Sequence, residues 1–163
     1  MQAKKPLLFK EIQNKKASMV PIDNFNIGLY QEKIDQMKLS SDQYDGVGIA
    51  SVQIGIWDNI LIFKREKDAK EYTVLFNCKI LERSKEMGVV LEGCLSIPKV
   101  QMPVKRHQWI VVEYFDGKQT ITEKFEDFAA VVLQHEIAHL EGRTLFDDTL
   151  LNREQKRKIL KKF

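Results

Sequence analysis

The motif His-Glu-x-x-His at residues 135–139 constrains the chain more than any other stretch. It lies in a segment with helical periodicity, and on a helix residues four apart lie on the same face. His135 and His139 can therefore bind one metal ion through their imidazoles. Glu136, beside them, is suited to act as general base for a metal-bound water.

An apolar stripe leads into this motif. Phe128, Val131 and Val132 lie on the same helical face as the two histidines, which predicts that the histidines form the floor of a pocket. The motif also occurs by chance in ordinary surface helices, so it does not establish a metal site alone. A third ligand from elsewhere in the chain is needed to decide.

Composition limits the possible classes of protein. With 163 residues, 44% of them hydrophobic and 30% charged, the chain suits one soluble domain spanning residues 1–163. No stretch approaches ~20 apolar residues, so no transmembrane helix is expected. The first ten residues hold too few apolar side chains for a secretory signal, and we expect a cytoplasmic protein. The net charge of +3 says little about partners.

The two cysteines are candidates for a different role than a disulfide. A single bridge between Cys78 and Cys94 is not expected in a cytoplasmic protein. Cys94 can be a small buried hydrophobe or a ligand. Two histidines and one thiolate make a set of three protein ligands with a fourth position open for water. In metalloproteases the third ligand usually follows the histidine motif, whereas Cys94 precedes it.

Periodicity predicts an α+β fold of antiparallel sheets around a central helix that carries the histidine motif. The central helix should begin near residue 126 or 127 and end before Gly142. A hairpin is expected at Asp116-Gly117. A last helix, capped by Asn152, should follow it. The remaining elements are an amphipathic helix at 26–40, strands at 59–65, 72–80, 89–95, 108–115 and 119–126, and the last helix at 153–163.

The stretch Gly46-Val47-Gly48 interrupts the first helical pattern. Two glycines two residues apart indicate backbone that packs closely against a neighbour. The full dinucleotide or Walker pattern is missing, so a close-packed strand edge is the better interpretation than a phosphate loop.

Three motifs in order resemble the peptide deformylases, the enzymes that remove the formyl group from newly made bacterial polypeptides. They are Gly-Val-Gly-Ile-Ala-Ser-Val-Gln at 46–53, Glu-Gly-Cys-Leu-Ser at 92–96 and Gln-His-Glu-Ile-Ala-His-Leu at 134–140. The resemblance covers roughly residues 25–163, and residues 1–24 match poorly.

The resemblance implies a metal-dependent hydrolase acting on formyl-methionyl peptides and releasing formate. Cys94, His135 and His139 would bind one divalent ion, expected to be Fe(II), although the ligand set suits zinc equally and purified protein can carry zinc or nickel. The backbone N–H of Leu95 and the side-chain amide of Gln53 would stabilise the negative oxygen of the intermediate.

The resemblance also implies an apolar pocket for the methionine side chain of the substrate. Our candidates are Val47, Phe128, Val131 and Val132, for each of which ordinary core packing is the alternative. Gly48 would let the substrate backbone pair alongside its strand.

The chain departs from the family pattern at Ser51, Gln101 and Ala138. The family usually has alanine, arginine and aspartate at these positions. Gln101 lies on the side of the cleft expected to touch the peptide. Ala138 is expected to leave Arg106 without an ion-pair partner.

The last eleven residues carry six lysines and arginines against one acid. The segment Arg153–Phe163 is either a solvated helix end or, since basic patches bind phosphates, a contact with ribosomal RNA. We expect a monomer without membrane attachment. Two other functions remain open: a catalytically impaired relative that binds metal or formyl-peptides, and a metal-dependent peptidase.

Overall fold

The computed structural model describes residues 1–163. The chain folds into antiparallel sheets and helices. Short 3₁₀ turns occupy Ile27–Leu29 and Ser51–Ile54. The helices are α1 (Phe9–Ile12), α2 (Gln31–Gln43), α3 (Asp127–Leu140), α4 (Leu145–Asp148) and α5 (Arg153–Leu160). The strands are β1 (Gly48–Ala50), β2 (Ile60–Phe63), β3 (Thr73–Arg83), β4 (Met87–Cys94), β5 (Ile97–His107), β6 (Trp109–Phe115) and β7 (Thr120–Glu126).

Five strands form the larger sheet in the order β1-β2-β3-β6-β7, and every neighbouring pair is antiparallel. Strands β4 and β5 form a separate two-stranded sheet. The predicted α+β class with antiparallel sheets is confirmed. None of the helices is long and apolar enough to cross a membrane.

The central helix α3 packs its apolar side against one face of the larger sheet. Ten of its 14 residues are buried, and Leu133 and Ile137 have no exposed surface. Burying a side chain of this size stabilises the fold by roughly 1.5–3 kcal/mol. The opposite face of the sheet is covered by α2 through Ile34 and Met37. Strand β2 is therefore buried on both faces, which explains its uninterrupted apolar sequence.

A third cluster of apolar residues packs against the two-stranded sheet. Phe9 of α1 and Phe146 of α4 pack with ring centroids 4.7 Å apart. Ile97 of β5 and Cys94 at the end of β4 belong to the same cluster. The helices α1 and α4 thus pack against the end of the β4–β5 hairpin that carries Cys94.

Most predicted elements are found, with shifted ends. Residues 27–29 form a 3₁₀ turn capped by Asn26, whose side chain accepts from the Gly28 N–H at 2.9 Å. The first long helix therefore begins at residue 31, not 26, and it ends at residue 43. The last helix begins at 153 under the Asn152 cap as predicted, but ends at 160. The close-packed strand edge is β1, at the border of the larger sheet.

Three elements were not predicted: α1, α4 and the 11-residue strand β5. Pro98 and Pro103 lie within β5, and proline normally argues against a strand. The strand forms because it pairs with β4 alone, so its other edge needs no complete ladder. Helices of four residues are too short to show periodicity.

Gly142, just after α3, has a backbone conformation that glycine adopts more easily than other residues, and its replacement tests this role. Its φ is +82°, and an added Cβ would lie 2.9 Å from the backbone nitrogen of Lys15. We expect Gly142→Ala to lower the free energy of unfolding by about 1–3 kcal/mol, since alanine suffers both strain and a backbone clash. Chemical denaturation measures the loss.

Gly88 on β4 is the matched control, because a Cβ there meets nothing within 4 Å. Gly88→Ala should change the free energy of unfolding by less than about 0.5 kcal/mol. Equal effects of the two substitutions would contradict the assigned role of Gly142.

Candidate active site and metal centre

The three predicted ligands lie together. Cys94 Sγ is 3.3 Å from His139 Nε2, and the Nε2 atoms of His135 and His139 are 3.1 Å apart. All three candidate ligand atoms lie within 4.8 Å of one another. Both cysteines of the chain are free, as the sequence predicts.

Hydrogen bonds fix the tautomers of both histidines. His135 Nδ1 lies 2.8 Å from the Glu92 carboxylate, and His139 Nδ1 lies 3.1 Å from the Arg143 carbonyl oxygen. Because both partners are acceptors, each Nδ1 carries the hydrogen and each Nε2 presents a lone pair. Two lone pairs therefore face each other beside a thiol.

This donor set fits a metal ion. Two nitrogen ligands of a tetrahedral ion at ~2.0–2.1 Å lie about 3.3 Å apart, close to the observed separation of the Nε2 atoms. Burial keeps the pKa of His139 well below its usual value, which leaves its imidazole neutral for binding. Burial also opposes a charge on His135, but Cys94 and Glu92 raise its pKa well above the usual value. Without a metal ion, the proton that this favours on His135 Nε2 lies between the two nitrogens, and a bound metal ion would take its place.

Glu92 is a supporting residue that the sequence reasoning did not single out. Burial would raise the pKa of this carboxyl, but hydrogen bonds from Arg106 and His135 lower it to about 2. The carboxylate is thus charged and holds the His135 ring. The signal in the sequence was the position of this acid, two residues before the candidate ligand Cys94.

The expectation that Ala138 leaves Arg106 without a partner is wrong. The Arg106 guanidinium donates to Glu92 at 2.6 and 2.8 Å and to Asp148 at 3.1 Å. The main partner is Glu92, which reaches Arg106 across the β4–β5 hairpin, and α4, which the sequence did not predict, adds Asp148.

Glu136 has the environment of a general base. Its side chain is buried, and Oε2 has no hydrogen-bond partner within the chain. Burial raises the pKa of the carboxyl to about 7, although the neighbouring His135 acts to lower it. A base is most effective when its pKa is near the working pH.

Gln53 and Leu95 lie at the same centre. The Gln53 amide accepts from the Ala50 N–H at 2.9 Å, which turns its NH₂ group towards Ser96 Oγ at 3.2 Å and Cys94 Sγ at 3.8 Å. Leu95 follows Cys94 in the turn between β4 and β5, and its backbone N–H donates no hydrogen bond within the chain. Two donors thus border the metal cluster.

One cavity of about 920 Å³ opens onto these groups. Cys94, His135 and Glu136 line it, whereas His139 lies behind them with 1% of its surface exposed. The predicted pocket residues all line this cavity as well, namely Val47, Gly48, Phe128, Val131 and Val132. Three of these, Val47, Phe128 and Val132, also pack against the main core, so for them both interpretations describe real contacts.

Gly48 brings β1 against α3. A Cβ at this position would lie 3.0 Å from Val132 Cγ1, 3.2 Å from Glu136 Oε1 and 3.2 Å from the Ile62 carbonyl oxygen. A methyl group at this position would therefore press on the Glu136 carboxylate and on Val132, whereas glycine leaves both in place.

The other departures from the family pattern have simple surroundings. Ser51 is fully buried, and its hydroxyl donates to the Asp58 carbonyl. The hydroxyl is therefore satisfied, and the serine fits without strain. Gln101 is exposed and lines the cavity, on the side where the sequence places it.

Fold and site together define a class: α+β proteins in which a central helix and a cavity bring together a possible Cys-His-His metal site. The family model described as polypeptide deformylase matches residues 7–157, which extends the resemblance well before residue 25. The peptide deformylase of Desulfotalea psychrophila is 40% identical over 149 residues, 84% of this chain and 86% of the relative. That of Rhizobium meliloti is 33% identical over 147 residues, 88% of this chain and 83% of the relative.

Solved structures agree with the sequence comparisons. Peptide deformylase from Thermotoga maritima superposes with a TM-score of 0.83 and 29% identity, covering 93% of this chain and all of the other. The Legionella pneumophila peptide deformylase gives 0.85 and 29%, covering 98% and 92%. The chain belongs to the polypeptide deformylase family. The predictions of the family, the fold and an enzyme are confirmed.

The Gly48 contact can be tested directly. We expect Gly48→Ala to lower turnover of a formyl-methionyl peptide by about 100-fold, since a base displaced by the new methyl group acts poorly. The bound metal, measured by elemental analysis, should stay at the wild-type level. Full activity of Gly48→Ala would show that the close approach does not position Glu136.

Proposed function

We propose that Cys94, His135 and His139 hold one divalent ion with which the chain removes the formyl group from formyl-methionyl nascent polypeptides. The observation that carries the proposal is the pair of facing Nε2 lone pairs beside the Cys94 thiol, at the floor of the cavity that Glu136 also lines. Two imidazole nitrogens and one thiolate with an open fourth position are the ligand set of a catalytic metal site.

The ion, when bound, supplies positive charge that acidifies a water molecule and polarises the formyl oxygen. Glu136 takes the proton of the water, which then attacks the formyl carbon. The Leu95 N–H and the Gln53 amide donate to the oxygen that becomes negative. Glu136 returns the proton to the departing amine, and formate leaves.

The methionine side chain of the substrate enters the apolar part of the cavity. Phe128, Val131 and Val132 form one helical stripe there, and Val47 faces them from the segment before β1. The substrate backbone lies along the free edge of β1, where Gly48 leaves room. We further propose Fe(II) as the native ion, with zinc or nickel taking its place in purified protein.

Glu136→Gln tests the assigned base. The amide keeps the size of the side chain but cannot take a proton, so turnover should fall by about 10²–10⁴-fold. The metal content should not change, because Glu136 is not a ligand. Formate release from a formyl-methionyl peptide measures the loss, and near-normal release by this variant would refute the assignment.

A relative that only binds metal or formyl-peptides is not favoured, because every proposed catalytic group is present at the cavity. The peptidase alternative is not favoured either. The matched family and the upstream Cys94 ligand both point to deformylation.

The basic last segment is the second part of the proposal. Arg153, Arg157, Lys158, Lys161 and Lys162 are exposed, and only Lys158 has an acidic partner, Glu154 at 3.2 Å. We propose that this surface binds ribosomal RNA, with the chain acting as a cytoplasmic monomer.

Charge substitution tests the RNA contact better than truncation. Phe163 packs on Phe9 with ring centroids 5.9 Å apart, so deletion of the segment would also expose the core. Changing Arg157, Lys161 and Lys162 to glutamine should weaken ribosome binding. The slope of the logarithm of the affinity against the logarithm of the salt concentration should become less steep, by about one for each charge that contacts a phosphate.

Hydrolysis of a short formyl-peptide should stay within about twofold of wild type in the same variant, since these exposed positions lie outside the cavity. Unchanged ribosome affinity, measured by co-sedimentation at several salt concentrations, would refute the RNA contact.

A further inference from the structure

Arg106 uses its guanidinium to join two acids. Nε and Nη2 donate to Glu92 at 2.6 and 2.8 Å, and Nη1 donates to Asp148 at 3.1 Å. The Arg106 and Glu92 side chains are only 6% and 7% exposed, and Asp148 is 18% exposed. At such burial a guanidinium N–H without an acceptor is unfavourable. Asp148 accepts from Nη1, the nitrogen that Glu92 does not reach, and so helps to fix the orientation of the Arg106 guanidinium.

Asp148 is itself held on two sides. It is the last residue of α4, and the next residue, Thr149, donates from its hydroxyl to the Pro103 carbonyl of β5 at 2.9 Å. Its Oδ1 accepts from Arg143 Nη1 at 2.7 Å. Asp148 Oδ2 faces Arg106, so each carboxylate oxygen serves one arginine.

These contacts close a ring around the candidate metal ligands. Arg143 accepts from His139 Nδ1 through its carbonyl and donates to Asp148 through its side chain. Arg106 then connects Asp148 to Glu92, which holds His135 Nδ1 at 2.8 Å. The two imidazoles are thus supported through one continuous path rather than by two independent partners.

We propose that Asp148 is a positioning residue of the metal centre, joining the supports of His135 and His139 so that both Nε2 atoms meet at one ion. This inference rests on the proposed metal site. Asp148 does not line the cavity, and its side chain bonds only to Arg106 and Arg143, not to Cys94, His135 or His139. It acts by holding Arg106 and Arg143 in fixed positions.

A carboxylate is required at position 148 because both of its oxygens accept hydrogen bonds, one from each arginine. In Asp148→Asn one terminal atom becomes an NH₂ group, which would oppose an arginine N–H donor to donor. One of the two arginines therefore loses its acceptor while the shape of the side chain is kept. Replacing groups that support metal ligands typically weakens metal binding by 10–100-fold.

The test compares two neighbouring acids of α4 in the full chain. Asp147 is exposed and accepts from the Thr144 N–H at 2.7 Å, with no contact to the ring. The zinc dissociation constant, measured by competition with a chelator, should rise about tenfold in Asp148→Asn. It should change less than about twofold in Asp147→Asn.

Thermal unfolding in excess chelator separates positioning from general stability. Without metal, Asp148→Asn should unfold at a somewhat lower temperature than Asp147→Asn, because one arginine loses its acceptor. The positioning role predicts in addition that zinc raises the transition of Asp148→Asn by less than it raises that of the wild type. If Asp148→Asn does not fold, Arg143→Gln takes its place, since this side chain is 42% exposed and its carbonyl still accepts from His139. A several-fold loss of zinc affinity is expected there.

Equal zinc affinities of wild type, Asp148→Asn and Asp147→Asn would overturn the role of Asp148. Failure of the wild type itself to bind one zinc ion per chain would overturn the metal site as well. The two failures are therefore distinguishable, and neither depends on a measurement of turnover.

Discussion

The structure depends on the burial of a helix that carries four polar side chains on its inner surface. Gln134, His135, Glu136 and His139 of α3 are all buried. Buried polar groups cost free energy unless they find partners. Gln134 exchanges two hydrogen bonds with the His107 backbone, at 3.0 and 2.9 Å, which fastens α3 to the end of β5.

The remaining three side chains of that set define the chemistry. His135 and His139 each satisfy Nδ1 and leave Nε2 towards Cys94, whereas Glu136 keeps one oxygen without any partner. Within this set of α3 side chains, the groups left without a partner are therefore those that face the candidate ion and its water. Because the rest of each side chain is held by hydrogen bonds, little ordering is needed when an ion binds.

Much of this was predictable from local patterns. The spacing of His135 and His139 places both on one face of a helix, and that helix is the one observed. The motif around Cys94 pointed to the third candidate ligand, and the structure brings its Sγ to 3.3 Å from His139 Nε2. Gly48 was assigned to a close approach, although the sequence could not show that the approaching group is Glu136.

The supports of the site were not predictable in the same way. Glu92, Arg106, Arg143 and Asp148 meet only in the folded chain, and the short helix α4 that brings Asp148 to β5 has no periodic signal. The residue at position 138 therefore could not indicate the partners of Arg106, since one is Glu92 across the β4–β5 hairpin and the other is Asp148 on the unpredicted α4.

X-ray absorption spectroscopy at the zinc edge, on protein loaded with one zinc ion per chain, tests the ligands of the metal centre directly. We expect one sulfur ligand at about 2.3 Å and two imidazole nitrogens at about 2.0–2.1 Å, with an oxygen atom in the fourth position. The sulfur signal should vanish in Cys94→Ser. A bound zinc ion without a sulfur neighbour would contradict the assignment of the metal centre.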